Sequence, residues 1–160
     1  ALLLNIPPDK RGKIAKTDEL TLDSFGRLLK RRFPKNLASD AKATSSSEID
    51  SEHLAKNIIE DDDSLYWQAA SDDEEPEIVV DFGKPVNFDK LVLQENIATG
   101  QQIEEFSIYV KLGGKWKKIA NETVVGHCRI CRFKEVRAQY FKIVIEKARC
   151  FATLERLEAY

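Results

Sequence analysis

The fold is decided by the stretch DFGKPVNFDKLVLQENIATGQQIEEF, which covers Asp81–Phe106. Two strand-like runs meet in it, Ile78–Phe82 and Phe88–Glu95. Gly83-Lys84-Pro85 separates the runs, and because glycine and proline interrupt strands, we predict a turn there. A polar loop, Asn96–Glu105, follows the second run. Loops at the end of a rigid sheet are where binding residues usually lie, so this loop is the first place to look for a site.

The next run, Phe106–Lys111, alternates apolar and polar side chains. This period of two indicates a strand with one wet face, as in antiparallel sheets. The inward residues are predicted to be Phe106, Ile108 and Val110, and the outward ones Ser107, Tyr109 and Lys111. The turn Leu112–Lys115, which contains two glycines, predicts a hairpin onto the following strand.

Several further strands follow or precede this centre. They are predicted at Ala38–Ser47, Trp116–Ala120, Val124–Phe133, Tyr140–Glu146 and Leu154–Tyr160. Short strands at this spacing, without long helices between them, predict an all-β fold, an antiparallel β-sandwich.

The first part of the chain has a different pattern. Leu2–Ile6 is an apolar run closed by two prolines, which predicts a buried parallel strand. A helix is predicted over Thr17–Arg32, capped by Thr17 or Asp18 and stopped by Pro34. We therefore divide the chain into a strand–helix segment, residues 1–35, and a sandwich, residues 36–160.

Composition excludes several classes of protein. The chain has 160 residues, 42% of them hydrophobic, and a formal net charge of −2. This supports one ordinary domain with a real core and gives no sign of a nucleic-acid partner. No apolar run reaches the roughly 18 residues that a membrane helix needs, so no membrane partner is predicted.

Cysteine spacing suggests a metal or redox site, since Cys128 and Cys131 form a C-x-x-C pair beside His127. However, residues three apart on a strand point to opposite faces, which suits neither a shared metal nor a disulfide. Cys150 would add a third sulfur only if the fold brought it close. The alternative, ordinary buried cysteine, agrees with how often this residue type is buried.

These motifs resemble two parts of one enzyme family. Leu2–Ile14 and a helix containing Phe25-Gly26 resemble the last strand and helix of the catalytic barrel in family 29 α-L-fucosidases. Asn36–Tyr160 resembles the F5/8 type C, or discoidin-like, domain that follows this barrel in many such enzymes. The matching motifs are Asn57–Asp63, Tyr66-Trp67, Asp81–Val86, Leu93–Glu95, Gly100-Gln101, Gly114–Trp116, Gly126–Arg129, Arg132-Phe133, Lys147–Arg149 and Tyr160.

The resemblance implies a jelly-roll β-sandwich of the galactose-binding-domain type, preceded by a strand–helix remnant of a (β/α) barrel. It implies the non-catalytic C-terminal domain of a retaining α-L-fucosidase, secreted or periplasmic. Retention requires two carboxyl groups roughly 5 Å apart. In the family both lie upstream of the last barrel strand, so no catalytic residue is expected here. The implied partners are fucose- or galactose-containing glycans and the enzyme's own catalytic domain. An ancillary carbohydrate-binding module, a structural brace and a discoidin-like protein-adhesion module all remain open.

Polar and aromatic residues on predicted loops and strand ends are the candidates for a sugar site. They are His53, Trp67, Asn96, Gln101, Arg129, Arg149 and Phe151. Family 32 sugar-binding modules use a histidine, an arginine, an asparagine and an aromatic residue on loops at one end, and His53, Arg149 and Phe151 come nearest to that set. The alternative is a core position for Trp67, a structural position for Trp116, and ion pairs or loop anchors for the polar residues.

The acidic loop near the start of the sandwich is a candidate calcium site, because calcium prefers oxygen ligands. Many discoidin-like sugar binders hold calcium between this loop and a glutamate near the last strand. Here Arg156 replaces that glutamate, Leu65 replaces a threonine and Asp61 replaces a glycine. We predict no cofactor and an acidic turn neutralised by Arg156. Calcium remains the alternative, with candidate ligands Asn57, Glu60 and Asp62, flanked by Asp61 and Asp63.

Overall fold

A computed structural model describes residues 4–160 of the chain. These residues form two compact units, one that ends at Lys35 and one that covers Asn36–Tyr160. Among the described residues, no helix has both the length and the apolar character needed to cross a membrane.

The first unit contains one α-helix, α1 (Lys16–Arg32). It begins one residue before the predicted start, and its N-cap is Ala15, without a side-chain cap, so the predicted capping by Thr17 or Asp18 is wrong. The predicted strand Leu2–Ile6 lies partly outside the described residues, and its described part forms no strand. The one β-bridge within residues 4–35 joins Pro8 to Ile14.

The second unit is built from eight strands and two short 3₁₀ helices. The strands are β1 (Lys42–Ser45), β2 (Trp67–Gln68), β3 (Glu77–Gln94), β4 (Ile103–Leu112), β5 (Lys115–Thr123), β6 (Arg129–Ala148), β7 (Thr153–Leu154) and β8 (Arg156–Ala159), and the 3₁₀ helices are Ala55–Ile59 and Ile97–Thr99. The main sheet has the order β1-β3-β6-β4-β5, with β8 also paired to β3, and β2 pairs with β7. Every pairing is antiparallel, as predicted.

Two of these strands are longer than predicted. Gly83-Lys84-Pro85 does not end a strand, because β3 runs from Glu77 to Gln94 with a register shift between Asp81 and Val86. Likewise β6 joins the predicted strands Val124–Phe133 and Tyr140–Glu146 into one, starting only at Arg129. Irregular register bends a strand, so we infer that β3 and β6 turn here together from one layer of the sandwich into the other. The strand-breaking residues Gly83 and Pro85 thus mark a corner, meaning a bend within the single strand β3, rather than a turn between two strands.

The core lies between these layers. Its largest fully buried side chains include Trp67, Phe88, Phe106, Phe141 and Leu93. The inward residues of β4 are confirmed, since Phe106, Ile108 and Val110 are fully buried. The hairpin is confirmed too, because β4 ends and β5 begins on either side of Gly113 and Gly114. Both glycines have positive φ, 56° and 80°, as the tight hairpin turn requires.

Two predictions need correction or refinement. Ser107 is fully buried, and its hydroxyl oxygen lies 2.7 Å from Asn121 Oδ1 and 2.6 Å from Glu146 Oε1, so its one proton is donated to either of these acceptors. Longer polar side chains on the neighbouring strands cover it, which alternation within one strand does not reveal. Trp116 was assigned a structural role within the hairpin, but it lies on the sheet surface with 36% of its area exposed.

Candidate functional site

Three connecting segments meet at one end of the sandwich: residues 95–102, 124–128 and 149–152. The Arg149 N–H donates to the Gln102 carbonyl at 2.9 Å, and the Glu95 N–H donates to the Gly126 carbonyl at 3.0 Å. We call this region the loop end. It includes the polar loop that the sequence singled out after Phe88–Glu95.

Glu95 holds two of these segments together. It is completely buried, although it is a charged residue type. One carboxylate oxygen, Oε1, accepts the N–H groups of Gln102 at 2.5 Å and Ile103 at 2.9 Å, and the other, Oε2, accepts the Gly126 N–H at 3.1 Å. Buried carboxylates are stable only when such donors replace water. Glu95 therefore positions the loops, a role that the sequence did not reveal, its one signal being an acidic residue closing an apolar run.

Asn96 and Gln101 lie on the loop that Glu95 anchors. The Asn96 side chain accepts the Ala98 N–H at 3.1 Å and so caps the 3₁₀ helix Ile97–Thr99. Gln101 is exposed and lies over Gly126. A Cβ at Gly126 would come within 3.2 Å of Gln101 Oε1, and Gly126 has a φ of +60°, so glycine is required there twice over. Gln101 thus presents its amide to solvent from a fixed backbone.

His53 belongs to a second group of polar residues, which lies beside the β2–β7 ladder. Its Nδ1 is 2.8 Å from Asp50 Oδ1, and its ring centroid is 4.3 Å from that of Tyr66. The Gln68 N–H faces the His53 carbonyl at 3.4 Å, and Gln68 pairs with Thr153 of β7. This ladder places His53 beside the segment that carries the half-buried Phe151.

The two candidate arginines are already ion-paired. Arg129 Nη2 lies 2.5 Å from Glu122 Oε2, and Arg149 Nε lies 3.1 Å from Glu104 Oε1. Glu104 also binds Lys147 at 2.7 Å, and hydrogen bonds from Lys147 and then Arg149 lower the pKa of its carboxyl group. Both arginines match the ion-pair alternative, although 63% of the Arg149 side chain stays exposed at the loop end.

Trp67 cannot take part in binding at this surface. Its side chain is completely buried, and its indole N–H donates to the Ser47 carbonyl at 3.0 Å. This corrects its inclusion among the sugar-binding candidates. The aromatic ring that does lie beside His53 is Tyr66.

The acidic loop is closed by an arginine. Arg156 contacts Asp61 Oδ1 at 2.9 Å and also binds Asp63. Asn57, a candidate calcium ligand, is buried and donates to the backbone carbonyls of Glu52 at 2.6 Å and Tyr66 at 3.0 Å. The Arg156 guanidinium therefore neutralises Asp61 and Asp63, which flank the candidate calcium ligands, and the absence of calcium stays a prediction. Residues 4–160 contain no group of three or more His, Cys, Asp or Glu side chains suited to a metal.

The cysteines lie in different environments. Cys131 is buried on β6, while Cys128, in the loop before β6, and Cys150 are exposed. Because Cys128 is not on the strand, the prediction from strand geometry does not apply to this pair. Burial raises the pKa of the Cys131 thiol to about 12, so this thiol stays protonated and inert.

Fold and site together define a class of protein: an antiparallel β-sandwich with a polar candidate site on loops at one end. The family model that matches is the F5/8 type C domain, over residues 42–156. The chain belongs to the F5/8 type C domain family.

The relatives and solved structures that are similar over nearly the whole chain include α-L-fucosidases. Alpha-L-fucosidase 1 of Arabidopsis thaliana is 31% identical over 99% of this chain, which corresponds to 32% of that protein. A family 29 fucosidase of Ruminococcus gnavus, solved with fucose, matches with 28% identity and a TM-score of 0.85, covering 99% of this chain and 33% of that one. The chain thus spans about a third of the relatives it matches.

The sandwich fold is also that of isolated sugar-binding modules. CpGH89CBM32-5 of Clostridium perfringens, solved in complex with GalNAc-β-1,3-galactose, has a TM-score of 0.71 and 22% identity, covering 79% of this chain and 99% of that one. This likeness confirms the predicted fold class.

Proposed function

We propose that this chain is a non-catalytic carbohydrate-binding module of a retaining, secreted or periplasmic α-L-fucosidase, and that it binds fucose- or galactose-containing glycans at the loop end. Its further partner is the enzyme's own catalytic domain. The assignment to a fucosidase is supported by two fucosidases that are 31% and 28% identical to this chain. Glycan binding is supported by a module of the same fold that was solved with a galactose-containing sugar.

One observation supports the site above all. The buried Glu95 carboxylate fixes the backbone of two loops through hydrogen bonds to their N–H groups. The exposed side-chain amide of Gln101 lies on one of these loops. Weak sugar ligands require groups whose positions are set before binding, because ordering them on binding costs free energy.

The chemistry available at the loop end suits a sugar. The Gln101 amide both donates and accepts hydrogen bonds, as do the hydroxyl groups of a hexose. Phe151, on the third segment of the loop end, supplies an apolar ring for the C–H groups of the sugar, and the neighbouring rings of His53 and Tyr66 form a second, separate aromatic group. Arg149 adds exposed N–H donors.

The test is calorimetric titration of the chain with fucosylated and galactosylated oligosaccharides. Gln101→Ala removes an exposed amide without disturbing the core, and Lys134→Ala, on the exposed surface of β6, is the matched control. We expect binding to the parent chain and to Lys134→Ala, and binding at least tenfold weaker to Gln101→Ala. If no glycan bound, the carbohydrate-binding proposal would fail and a structural role beside the catalytic domain would be favoured. If Gln101→Ala and Lys134→Ala bound equally well, the sugar site would not include Gln101.

A further inference from the structure

A second cluster of side chains lies on the outer face of β4, β5 and β6. There, lysines alternate with aromatic rings. Lys111 Nζ is 5.7 Å from the ring centroid of Trp116 and 5.4 Å from that of Tyr140, and Lys142 Nζ is 5.3 Å from Trp116 and 5.5 Å from Tyr109. We call these five residues the cation–aromatic row. Its lysines are held over the ring faces, which are attractive to cations.

The two lysines of the row differ in charge compensation. Lys142 is mostly buried and binds Glu77 Oε2 at 2.5 Å. Lys111 is exposed and, among residues 4–160, has no carboxylate within ion-pairing distance. Lys111 lies next to the hairpin turn, whereas β4 begins at Ile103 beside the loop end, so the free charge lies at the opposite end of the strand.

A shallow depression of about 370 Å³ adjoins Lys111. Its lining includes Lys111, Arg137 and Tyr140, and it contains no acidic side chain. Asp81, on the neighbouring strand, lies outside this lining and accepts hydrogen bonds from Gln139 Nε2 at 2.9 Å and from the Gly83 N–H at 2.7 Å. It keeps its negative charge, but the two cations of the lining, Lys111 and Arg137, outnumber it. The depression is therefore a small positive hollow with an aromatic wall.

We propose that this hollow binds an acidic saccharide, with the anionic group between Lys111 and Arg137 and the sugar ring against Tyr140 and the exposed Trp116. Arginine presents a planar fork of N–H donors that matches the oxygens of an anion, and lysine adds a point charge. The parts of the half-buried Tyr140 ring and the exposed Trp116 ring that the lysines leave uncovered offer apolar surface to the C–H groups of a sugar, which a free inorganic anion would not use. The volume suits one or two sugar units, not a protein surface.

The anionic group is either a uronic acid carboxylate or a sulfate ester, because both offer the same oxygens to the two cations. This site is separate from the loop end, so the proposal does not depend on the function proposed above.

The test uses the whole chain with three short oligosaccharides at 150 mM salt: an oligogalacturonate, a sulfated galactan oligosaccharide and the same galactan without sulfate. The variants are the double substitution Lys111→Ala/Arg137→Ala and, as the control, Lys134→Ala. All of these side chains are exposed or border solvent, and circular dichroism checks that each variant folds.

We expect at least one anionic ligand to bind the parent chain and Lys134→Ala equally, and to bind the double variant at least tenfold more weakly. The oligogalacturonate and the sulfated ligand separate the carboxylate from the sulfate source. Trp116→Ala should also weaken this binding, because it removes the ring and keeps both charges. Equal binding to the double variant, or no binding of either anionic ligand to the parent chain, would overturn the proposal, including the case in which only another protein binds this face.

Discussion

Replacing Glu95 by glutamine tests how the loop end is held. Glutamine has nearly the same shape, but one carboxylate oxygen becomes an NH₂ group. If that group takes the place of Oε2, it faces the Gly126 N–H, and two donors meet in a buried site. If it takes the place of Oε1, it faces the N–H groups of Gln102 and Ile103. Either orientation leaves at least one buried donor without an acceptor.

The magnitude follows from the contacts. Leaving a buried donor unsatisfied costs about 1–3 kcal/mol, and hydrogen bonds to a charged acceptor contribute about 1.5–3 kcal/mol. We therefore expect Glu95→Gln to lower the free energy of unfolding by about 2–3 kcal/mol. Glu135→Gln is the matched control, because Glu135 is exposed on β6 and the same charge is removed.

Urea unfolding measures this difference as a shift of the midpoint with an unchanged slope. Hydrogen exchange adds a local readout, since the amides of Gln102, Ile103 and Gly126 should exchange faster in Glu95→Gln while those in the middle of β6 change only with global stability. If Glu95→Gln unfolded at the same urea concentration as Glu135→Gln, Glu95 would not be the anchor described here.

Three further predictions concern charge and thiols. Because Arg156 neutralises Asp61 and Asp63, millimolar calcium should leave the melting temperature unchanged; a native-state site at 100 times its Kd would add about 2.7 kcal/mol, which calorimetry would detect. A thiol reagent should modify Cys128 and Cys150 in the folded chain and Cys131 only after unfolding, and rapid labelling of all three would contradict its burial. Hydrogen bonds from the Ser107 hydroxyl and then Lys118 lower the pKa of Glu146 from its ordinary 4.5, so its stabilisation is complete above pH 4.5 and is lost as the pH falls through the folded-state pKa. Unfolding midpoints of Glu146→Gln should therefore vary less with pH below 4.5 than those of the parent chain, and parallel curves would refute the link.

Local pattern predicted most of the sandwich. Alternation located β4 and its buried residues, and the double glycine located the hairpin, because both signals act within one strand or one turn. The corner in β3 was misread as a break, since Gly83 and Pro85 interrupt regular pairing in either case. A bend within one strand and a turn between two strands can be told apart only by the partner strand β6, which continues past the corner. Because β3 and β6 pair across about 60 residues of chain, the sequence around Gly83 does not reveal this pairing.

The candidate site was predicted less completely, for a similar reason. Asn96 and Gln101 were selected because polar loops follow strands, and their role in binding stays a prediction. The anchoring role of Glu95 was not predicted and Trp67 was wrongly included, because burial depends on which elements cover a side chain. Adjacent residues such as Tyr66 and Trp67 therefore take opposite roles when one faces the rim and the other the core.

The most direct test of the central claim is amide chemical-shift mapping of the chain during titration with a fucosylated, galactose-containing oligosaccharide. The account predicts saturable shifts that cluster at residues 95–102, at Gly126 and around His53, with no hydrolysis of the ligand. Saturable shifts confined to another surface, or none at ligand concentrations well above the millimolar range, would contradict the claim that the loop end is a sugar-binding site.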